Sequence, residues 1–276
     1  MILIRSNIKH HQDEEVSCYF NHSVMNGSDK KEFVANGRYE NRISNSDDEI
    51  ILFDDVVFKA DFIKTFQTLI PKLELSGTEK VLEMGAAHGW ASVILKRQYP
   101  DCYVVASDLV PDTIKHSTRY EKLLNTHLNE KWAFNCRDIP FQKETFERIF
   151  TFASFHHFGD YGDYSKSLEQ MIRILKPRGK IFLLYEPSSP KYLYKFAFKR
   201  ANKRNDIDGV DEDVLVPSKI EKIVRELGCE FRTELFPFYL YRENITSAAY
   251  YYLLSKLGVF QQLLVSTVNL IIEKKT

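Results

Sequence analysis

Short apolar runs alternate with longer helical patterns across the middle of the chain. Five runs are nearly continuous in apolar residues, which is typical of strands that are covered on both faces of a sheet. These runs lie at residues 80–84, 103–107, 132–136, 148–152 and 180–185. Between the fourth and fifth runs, apolar residues recur at helical spacing from Leu168 to Leu175. The alternation predicts an α/β doubly wound architecture, a mostly parallel sheet with helices on both faces.

The pattern changes after the fifth run and predicts an antiparallel edge. Ser218 and Glu221 form a capping-box signature at the start of an apolar helical stripe that ends at Gly228. Residues 231–235 alternate between apolar and polar side chains, as in a half-exposed strand. A helical stretch over 247–256 leads to a last strand over 268–273. The complete prediction is a seven-stranded, mostly parallel sheet whose late strands form an antiparallel edge.

Two regions lie outside this core. Residues 1–50 show little periodicity, and a helix that begins near Phe62 is predicted to end at Pro71. We therefore predict an N-terminal segment with a helical cap over 1–71 and one larger domain over 72–276. A helical insertion at about 188–214 interrupts that domain after the fifth strand.

Composition and charge narrow the classes of function. The 38 basic and 38 acidic side chains of the 276 residues cancel, so the chain lacks the positive field that coating nucleic acid needs. The four cysteines are too far apart for a disulfide framework or a zinc knuckle. The longest uncharged stretch, 257–272, is too short to span a membrane. We expect a cytoplasmic protein with no nucleic-acid partner.

A turn of small residues carries the candidate chemistry. The predicted strand before it ends at Glu83, and the predicted helix after it begins at Trp90. Small residues occupy every second position between them: Gly85, Ala87 and Gly89. Glycines let a backbone approach a ligand closely, and a helix N-terminus favours an anionic group. A dinucleotide fingerprint would need glycine at positions 87 and 90, and the Gly-Lys-Ser/Thr ending of a P-loop is absent.

The order of an acid, one residue, then small residues at alternate positions resembles the first motif of the class I S-adenosylmethionine-dependent methyltransferases, acid-x-Gly-x-Gly-x-Gly. Ala87 stands at the middle glycine, a position that an alanine can occupy if its φ is negative. Further segments resemble later motifs of the same family in the same order. The resemblance covers residues 78–186. It implies a Rossmann-like methyltransferase domain with S-adenosyl-L-methionine as the cofactor.

The later motifs supply further candidate residues for the cofactor site. The resemblance implies that Asp108, after the second strand, accepts hydrogen bonds from the ribose diol. It implies that Asp138 lies near the adenine amino group, with the apolar Ile139 beside it. Residues 154–158 are similar to the segment that faces the transferred methyl, and residues 175–179 to a Leu-Lys-Pro-Gly-Gly turn. The candidate cofactor-binding residues are Glu83, Gly85, Ala87, Gly89, Asp108, Asp138, Ile139 and Ser154.

The resemblance implies in-line transfer of a methyl group from a sulfonium to a nucleophile of the acceptor. A protein base is needed only where the acceptor carries a proton of high pKa, as a sugar hydroxyl does. His156 and His157 are the candidate catalytic residues for that step, and at most one of two neighbours in an extended chain faces a pocket. A structural role in a turn is the alternative. The sequence shows no spacing typical of metal ligands, so no metal is predicted.

The predicted insertion combines positive charge with aromatic side chains. Six basic residues and no acidic one lie from Lys191 to Arg204, with tyrosines and phenylalanines among them. This composition is typical of a segment that holds an anionic or lipid-linked substrate, or that makes weak contact with a membrane surface. A solvated helix that packs its aromatic side chains on the core has the same composition.

The favoured function is methylation of a small-molecule or carrier-linked sugar or lipid acceptor, with O-methylation first. A ring-carbon methyltransferase of the quinone type is the nearest alternative, because an acceptor without a hydroxyl proton needs neither histidine. Two further functions stay open, a non-catalytic S-adenosylmethionine-binding module and a membrane-surface interaction protein. Acceptor pockets are built from loops that vary on one scaffold, so the sequence does not identify the acceptor.

Overall fold

The computed structural model describes residues 16–19, 29, 31, 53, 56–57, 59–159, 162–204, 212–235 and 245–276. Eight strands form one sheet in the order β1-β4-β3-β2-β5-β6-β8-β7. Their bounds are β1 Ser17–Tyr19, β2 Lys80–Met84, β3 Tyr103–Asp108, β4 Glu130–Phe134, β5 Phe146–Phe152, β6 Leu175–Ser188, β7 Glu230–Leu235 and β8 Ser266–Glu273. β8 runs antiparallel to both β6 and β7, and the other neighbouring strands are parallel.

Nine α-helices lie within the described residues. They are α1 Ala60–Leu69, α2 Trp90–Gln98, α3 Pro111–Lys115, α4 Ser117–Leu124, α5 Ser165–Ile174, α6 Tyr194–Ala201, α7 Pro217–Glu226, α8 Ile245–Lys256 and α9 Gly258–Gln261. Four 3₁₀ turns accompany them, at Ile70–Leu73, Phe155–His157, Lys191–Leu193 and Asn202–Arg204. None of the helices that the structure describes is long and apolar enough to cross a membrane.

Both faces of the central strands are covered by apolar side chains. Val81 and Leu82 are neighbours in β2, yet they lie in two different buried clusters, as do Ile149 and Phe150 in β5. Successive side chains of a strand point to opposite faces of the sheet, so each cluster covers one face. This arrangement explains why the predicted strands are nearly continuous in apolar residues.

The seven predicted strands are all present, and the α/β architecture with an antiparallel late edge is confirmed. The third predicted strand corresponds to β4, Glu130–Phe134, which ends two residues before the predicted boundary at Cys136. An eighth strand, Ser17–Tyr19, pairs in parallel with β4 at the sheet edge. Three residues are too few to show periodicity in a sequence, so the apolar pattern does not predict this strand. Most of residues 1–50 lies outside the described residues.

The predicted capping box at the start of α7 is wrong. Val216 occupies the N-cap position and Pro217 the first helical position, and no side chain caps the helix. The fixed φ of proline suits the first position of a helix, so Pro217 sets the start and Ser218 falls inside the first turn. Glu221 pairs instead with Arg225 one turn later, at 2.7 Å.

The predicted cap helix packs directly on the sheet. Phe66 of α1 is fully buried, and its ring lies 5.4–5.8 Å from the rings of Trp90, Phe150 and Phe152. The helix passes into the 3₁₀ turn Ile70–Leu73, close to the predicted end at Pro71. α1 therefore shares one apolar core with the sheet, and a division of the chain at residue 71 stays a prediction.

β6 is irregular where it leaves the core. Its register against β8 shifts between Leu183 and Glu186, and Tyr185 adopts a positive φ of 57°. The side-chain amide oxygen of Asn269 accepts a hydrogen bond from the Tyr185 backbone at 2.9 Å. Such a bulge changes the direction of the following side chains. Glu186 comes directly after it and is fully buried.

The insertion after β6 is hydrogen-bonded to the core at Asp213, where the chain rejoins the main domain. The two carboxylate oxygens of Asp213 accept hydrogen bonds from the hydroxyls of Tyr194 at 2.8 Å and Tyr164 at 2.6 Å. Tyr194 belongs to α6 in the insertion, and Tyr164 lies directly before α5. Residues 205–211 of the predicted insertion lie outside the described residues.

Candidate active site

A cavity of about 350 Å³ lies at the carboxyl ends of β2, β3, β4 and β5. β2 lies between β3 and β5 in the sheet, so the strand order reverses at this point. Open α/β sheets bind ligands at such reversals. Residues at and just after the strand ends supply most of the cavity wall: 83–88 at β2, 107–109 at β3, 134–136 at β4 and 152–154 at β5. Trp90, Phe134, Phe152 and Phe158 add apolar surface to it.

Gly85 brings two of these loops into contact. Its φ is +67°, and a Cβ atom built there would lie 2.7 Å from Ser154 Oγ and 2.9 Å from Ser154 Cβ. Both distances are shorter than carbon atoms tolerate, so only glycine lets the loop after β2 touch the loop after β5. Ser154 Oγ donates to the backbone oxygen of Met84 at 3.3 Å and closes the contact.

Ala87 differs from the sequence expectation, because its φ is +46° and not negative. The left-handed conformation costs an alanine about 1–2 kcal/mol. The backbone N–H of Ala87 donates to Asp108 Oδ2 at 2.8 Å, which holds the strained residue in place. An alanine is therefore accommodated at the middle glycine position through its hydrogen bond to the end of β3.

Gly89 serves helix packing. It is the N-cap of α2 with a φ of +68°, and a Cβ atom built there would lie 2.7 Å from Ser117 Cβ of α4. Gly89 is not among the residues that line the cavity. The structure thus separates Gly85 and Ala87, which form the cavity wall, from Gly89, which lets α2 approach α4.

Glu83 lies at the N-terminus of α2, where the sequence analysis placed a site for an anionic group. It is buried, and its Oε2 accepts hydrogen bonds from the backbone N–H of Ser92, at 2.8 Å, and from the Ser92 hydroxyl. Burial raises the pKa of Glu83 to about 8, against the opposing effect of the Ser92 hydrogen bonds. One of the unpaired N–H groups of α2 is therefore satisfied by the protein's own acid.

Asp108 lies half-buried in the cavity wall at the end of β3. Its Oδ1 accepts a hydrogen bond from the Val110 N–H at 3.1 Å, and its Oδ2 accepts the one from Ala87. Burial raises the pKa of Asp108, and these hydrogen bonds act in the opposite direction. A carboxylate oxygen has two lone pairs, so each oxygen retains acceptor capacity for a ligand.

Asp138 and Ile139 lie away from the cavity lining. Asp138 accepts a hydrogen bond from the Tyr19 hydroxyl at 3.2 Å, and Ile139 is fully buried in the core. Because β4 ends at Phe134, two residues earlier than predicted, the first residues of the following loop reach the cavity instead. These residues are Asn135 and Cys136.

A buried carboxylate organises the turn after β5. Glu186, at the end of β6, accepts hydrogen bonds from the backbone N–H groups of Ser154, Phe155 and His156 at 2.9–3.3 Å. The Thr151 hydroxyl also donates to it, at 3.2 Å. Sequence reasoning missed this residue, although an acid directly after a long apolar strand is a usable signal.

The two histidines of this turn have opposite environments. His156 is buried behind the cavity wall, with Nδ1 2.8 Å from Glu186 and Nε2 3.0 Å from Glu212. Burial lowers the pKa of His156, but the two carboxylates outweigh it and raise the pKa to about 10. His157 lines the cavity, and burial together with the charge on His156 lowers its pKa to about 4. At neutral pH, His156 is therefore charged and His157 is uncharged.

Glu212 joins this pair from the far end of the insertion. Its Oε2 lies 3.0 Å from His156 Nε2 and 3.4 Å from His157 Nε2, and ligating atoms of the three side chains lie within 4.8 Å of one another. That spacing suits a divalent cation. The protonated His156, however, donates from both nitrogens to two carboxylates, so the group is already satisfied as an ion-pair network.

One polar atom of the cavity wall has no hydrogen-bond partner among the described residues. The Thr113 hydroxyl at the start of α3 lines the cavity and is buried. Buried hydroxyls are nearly always hydrogen-bonded. Together with the Asp108 carboxylate and the apolar rings, it makes the cavity suitable for a ligand that carries both hydroxyl groups and flat apolar surface.

The close contact at Gly85 predicts a difference between two alanine substitutions. Gly228→Ala, at a φ of +76° in open space, should cost about 1–2 kcal/mol through backbone strain alone. Gly85→Ala carries the same strain and also overlaps Ser154, so its free energy of unfolding should fall by about 1–3 kcal/mol more. Urea unfolding measures both losses, and equal losses would mean that the two loops separate without cost.

The raised pKa of His156 predicts a pH-dependent contribution to stability. A histidine whose pKa is higher when folded stabilises the protein fully below its unfolded value, 6.5, and less as the pH rises towards about 10. The free energy of unfolding of wild type relative to His156→Gln should therefore shrink over this range. Urea unfolding at a series of pH values tests this, with the exposed His127→Gln as the control. A constant difference between wild type and His156→Gln would contradict the charged state of His156.

Comparison with known proteins agrees with this geometry. Residues 81–179 match a family model described as a methyltransferase domain. A glycine/sarcosine/dimethylglycine N-methyltransferase of Actinopolyspora halophila is 31% identical over 43% of this chain and 20% of its own length. A demethylmenaquinone methyltransferase of Thermus thermophilus is 25% identical over 44% of this chain and 56% of its own length. The chain thus matches only part of each relative.

Structural comparison extends the similarity beyond that segment. Phosphoethanolamine N-methyltransferase 2 of Haemonchus contortus, in complex with S-adenosyl-L-methionine, superposes with a TM-score of 0.51 at 14% identity. The superposition covers 77% of this chain and 52% of that chain. The shared fold, the glycine loop after β2 and the family match agree. Residues 81–179 therefore correspond to a methyltransferase domain.

Proposed function

We propose that the protein is an enzyme that transfers a methyl group from S-adenosyl-L-methionine to a small-molecule or carrier-linked sugar or lipid acceptor, with oxygen as the favoured acceptor atom. The observation that carries this proposal is the cavity at the strand-order reversal. Asp108 lies in one part of its wall and the uncharged His157 in another. The methyltransferase domain supplies residues for both a cofactor and an acceptor, within the domain proposed over 72–276.

The residues of the cavity wall carry chemical groups that match those of the cofactor. The free lone pairs of Asp108 suit the two hydroxyls of a ribose, and the Thr113 hydroxyl offers a further polar contact. The contact between Gly85 and Ser154 lets a ligand lie close against backbone. In this proposal Gly89, Asp138 and Ile139 act from behind the cavity wall, whereas Glu83 lines it.

When bound, S-adenosyl-L-methionine supplies an electrophilic methyl group on a sulfonium. The protein's own part is to align the acceptor with that group and to exclude water, which the apolar rings Trp90, Phe134 and Phe152 support. His157 can accept a proton from an acceptor hydroxyl because it is uncharged, and Glu212 at 3.4 Å then pairs with the charge. His156, with both nitrogens hydrogen-bonded, holds the turn that positions His157.

Two different functions compete with this proposal. A ring-carbon methyltransferase of the quinone type is favoured by the similarity to a demethylmenaquinone methyltransferase, and such an acceptor requires no base at His157. A non-catalytic module would bind the cofactor without making product. We also propose a cytoplasmic setting, which the four free cysteines support, since thiols stay reduced there.

The proposal predicts that the full chain binds S-adenosyl-L-methionine in a calorimetric titration. Asp108→Ala should weaken the affinity at least about tenfold, because a hydrogen bond to a charged group contributes about 1.5–3 kcal/mol. Asp112→Ala is the matched control, since Asp112 is exposed and does not line the cavity. No binding at high micromolar cofactor would reject both the enzyme and the non-catalytic module. Mass spectrometry of cell extracts incubated with methyl-labelled cofactor then separates those two, because only an enzyme yields a labelled product.

The role of His157 is tested separately, on the acceptor that the labelling experiment identifies. For an acceptor hydroxyl, His157→Ala should lower kcat about 100-fold or more with little change in the KM for the cofactor, since acid–base catalysis contributes about 10²–10⁴. His127→Ala, at an exposed site, is the control. A kcat within about twofold of wild type would exclude His157 as the base and favour a ring-carbon acceptor.

A further inference from the structure

Two segments outside the active site carry positive charge without any acidic residue. Residues 191–203 contain five basic side chains and residues 245–263 contain Lys256, and neither segment contains aspartate or glutamate. The chain as a whole has equal numbers of basic and acidic residues. These two segments therefore carry a local excess of positive charge that acidic residues elsewhere in the chain balance.

The first segment exposes aromatic rings and lysines on one helical face. Tyr192, Lys195, Phe196 and Lys199 are spaced as i, i+3, i+4 and i+7, and all four are exposed. Tyr192 is 68% exposed and Phe196 is 61% exposed. The opposite side of α6 is held by Ala197, which is buried. A solvated helix would pack its aromatic side chains on the core, but Tyr192 and Phe196 do not pack there.

The second segment exposes apolar side chains where a surface helix normally carries polar ones. Ile245, Tyr252, Leu253 and Lys256 of α8 recur at helical spacing, and all are exposed. Leu253 is 58% exposed, and Phe260 of α9 is 50% exposed. The buried position of α8 is Leu254, on the other side of the helix.

The two segments are joined. The Tyr192 hydroxyl donates a hydrogen bond to the backbone oxygen of Leu263, two residues after the end of α9. The side chain of Gln261 donates to the backbone oxygen of Leu254 at 2.8 Å and fixes α9 against α8. Arg200 of α6 lies close enough to act electrostatically on Tyr250 of α8. The exposed rings and cations therefore belong to neighbouring elements of one region.

We propose that this region, the basic apolar surface of residues 191–203 and 245–263, docks on anionic lipid membranes. Lysines attract the negative headgroups, while exposed tyrosine, phenylalanine and leucine enter the boundary between headgroups and acyl chains. A protein partner with an acidic surface would match the cations but would leave several separate apolar side chains without a fitted pocket. The inference is independent of the proposed methyl transfer, because it concerns residues outside the cavity.

Vesicle co-sedimentation tests the docking surface. The full chain should bind vesicles of phosphatidylcholine with phosphatidylglycerol, and binding should weaken at high salt and on phosphatidylcholine alone. Lys195→Glu/Lys199→Glu should weaken binding at least about tenfold, since each cation near the surface contributes about fivefold. Phe196→Ser/Leu253→Ser should also weaken it, with less dependence on salt. Lys122→Glu/Lys222→Glu, which makes the same charge change at two exposed lysines elsewhere, is the matched control and should bind as wild type does.

Three results would overturn the proposal. These are wild type that does not bind anionic vesicles at low salt, surface variants that bind as the control does, and a wild-type dimer that Phe196→Ser/Leu253→Ser dissociates in analytical ultracentrifugation. The last result would assign the surface to a second copy of the chain. Calorimetric titration of S-adenosyl-L-methionine in solution should give the same affinity for all these variants, so failure of docking is distinguishable from failure of the cofactor site.

Discussion

The carboxylate of Glu186 is buried at the end of β6, where three consecutive backbone N–H groups and two side chains hydrogen-bond to it. A buried charge is costly unless it is paired and hydrogen-bonded, so the turn after β5 is held to this one acceptor. This turn holds Ser154 against Gly85 and places His157 in the cavity wall. Both halves of the site therefore depend on one side chain that itself lies behind the wall.

The insertion takes part in the site as well as in the surface. Asn202, directly after α6, accepts a hydrogen bond from the Glu212 N–H at 2.8 Å and donates one to the Glu212 backbone oxygen at 2.9 Å. Glu212 in turn contacts His156 and His157. A short path of contacts thus runs from the exposed face of α6 to the cavity wall. For an acceptor carried on a lipid, such proximity would shorten the route from membrane to site.

Periodicity predicted the sheet well because strands covered on both faces carry a strong apolar signal. The glycine loop was predictable for a similar reason, since Gly85 meets a local steric demand that is visible in the sequence. Contacts between distant segments were not predictable: Glu186 and Glu212 reach His156 across 30 and 56 residues. The positive φ of Ala87 was also not predictable from the sequence, because it depends on a hydrogen bond to Asp108 at the end of another strand.

The strand order also constrains assembly of the sheet. β8 lies between β6 and β7, yet it follows both of them in the chain. β7 pairs only with β8 among the described strands, so it is connected to the rest of the sheet through residues 266–273, which lie beside β6. The bulge that turns Glu186 inward lies on that same β6–β8 seam. The position of the turn after β5 therefore depends on pairing with residues 266–273, a segment remote in sequence from every residue that lines the cavity.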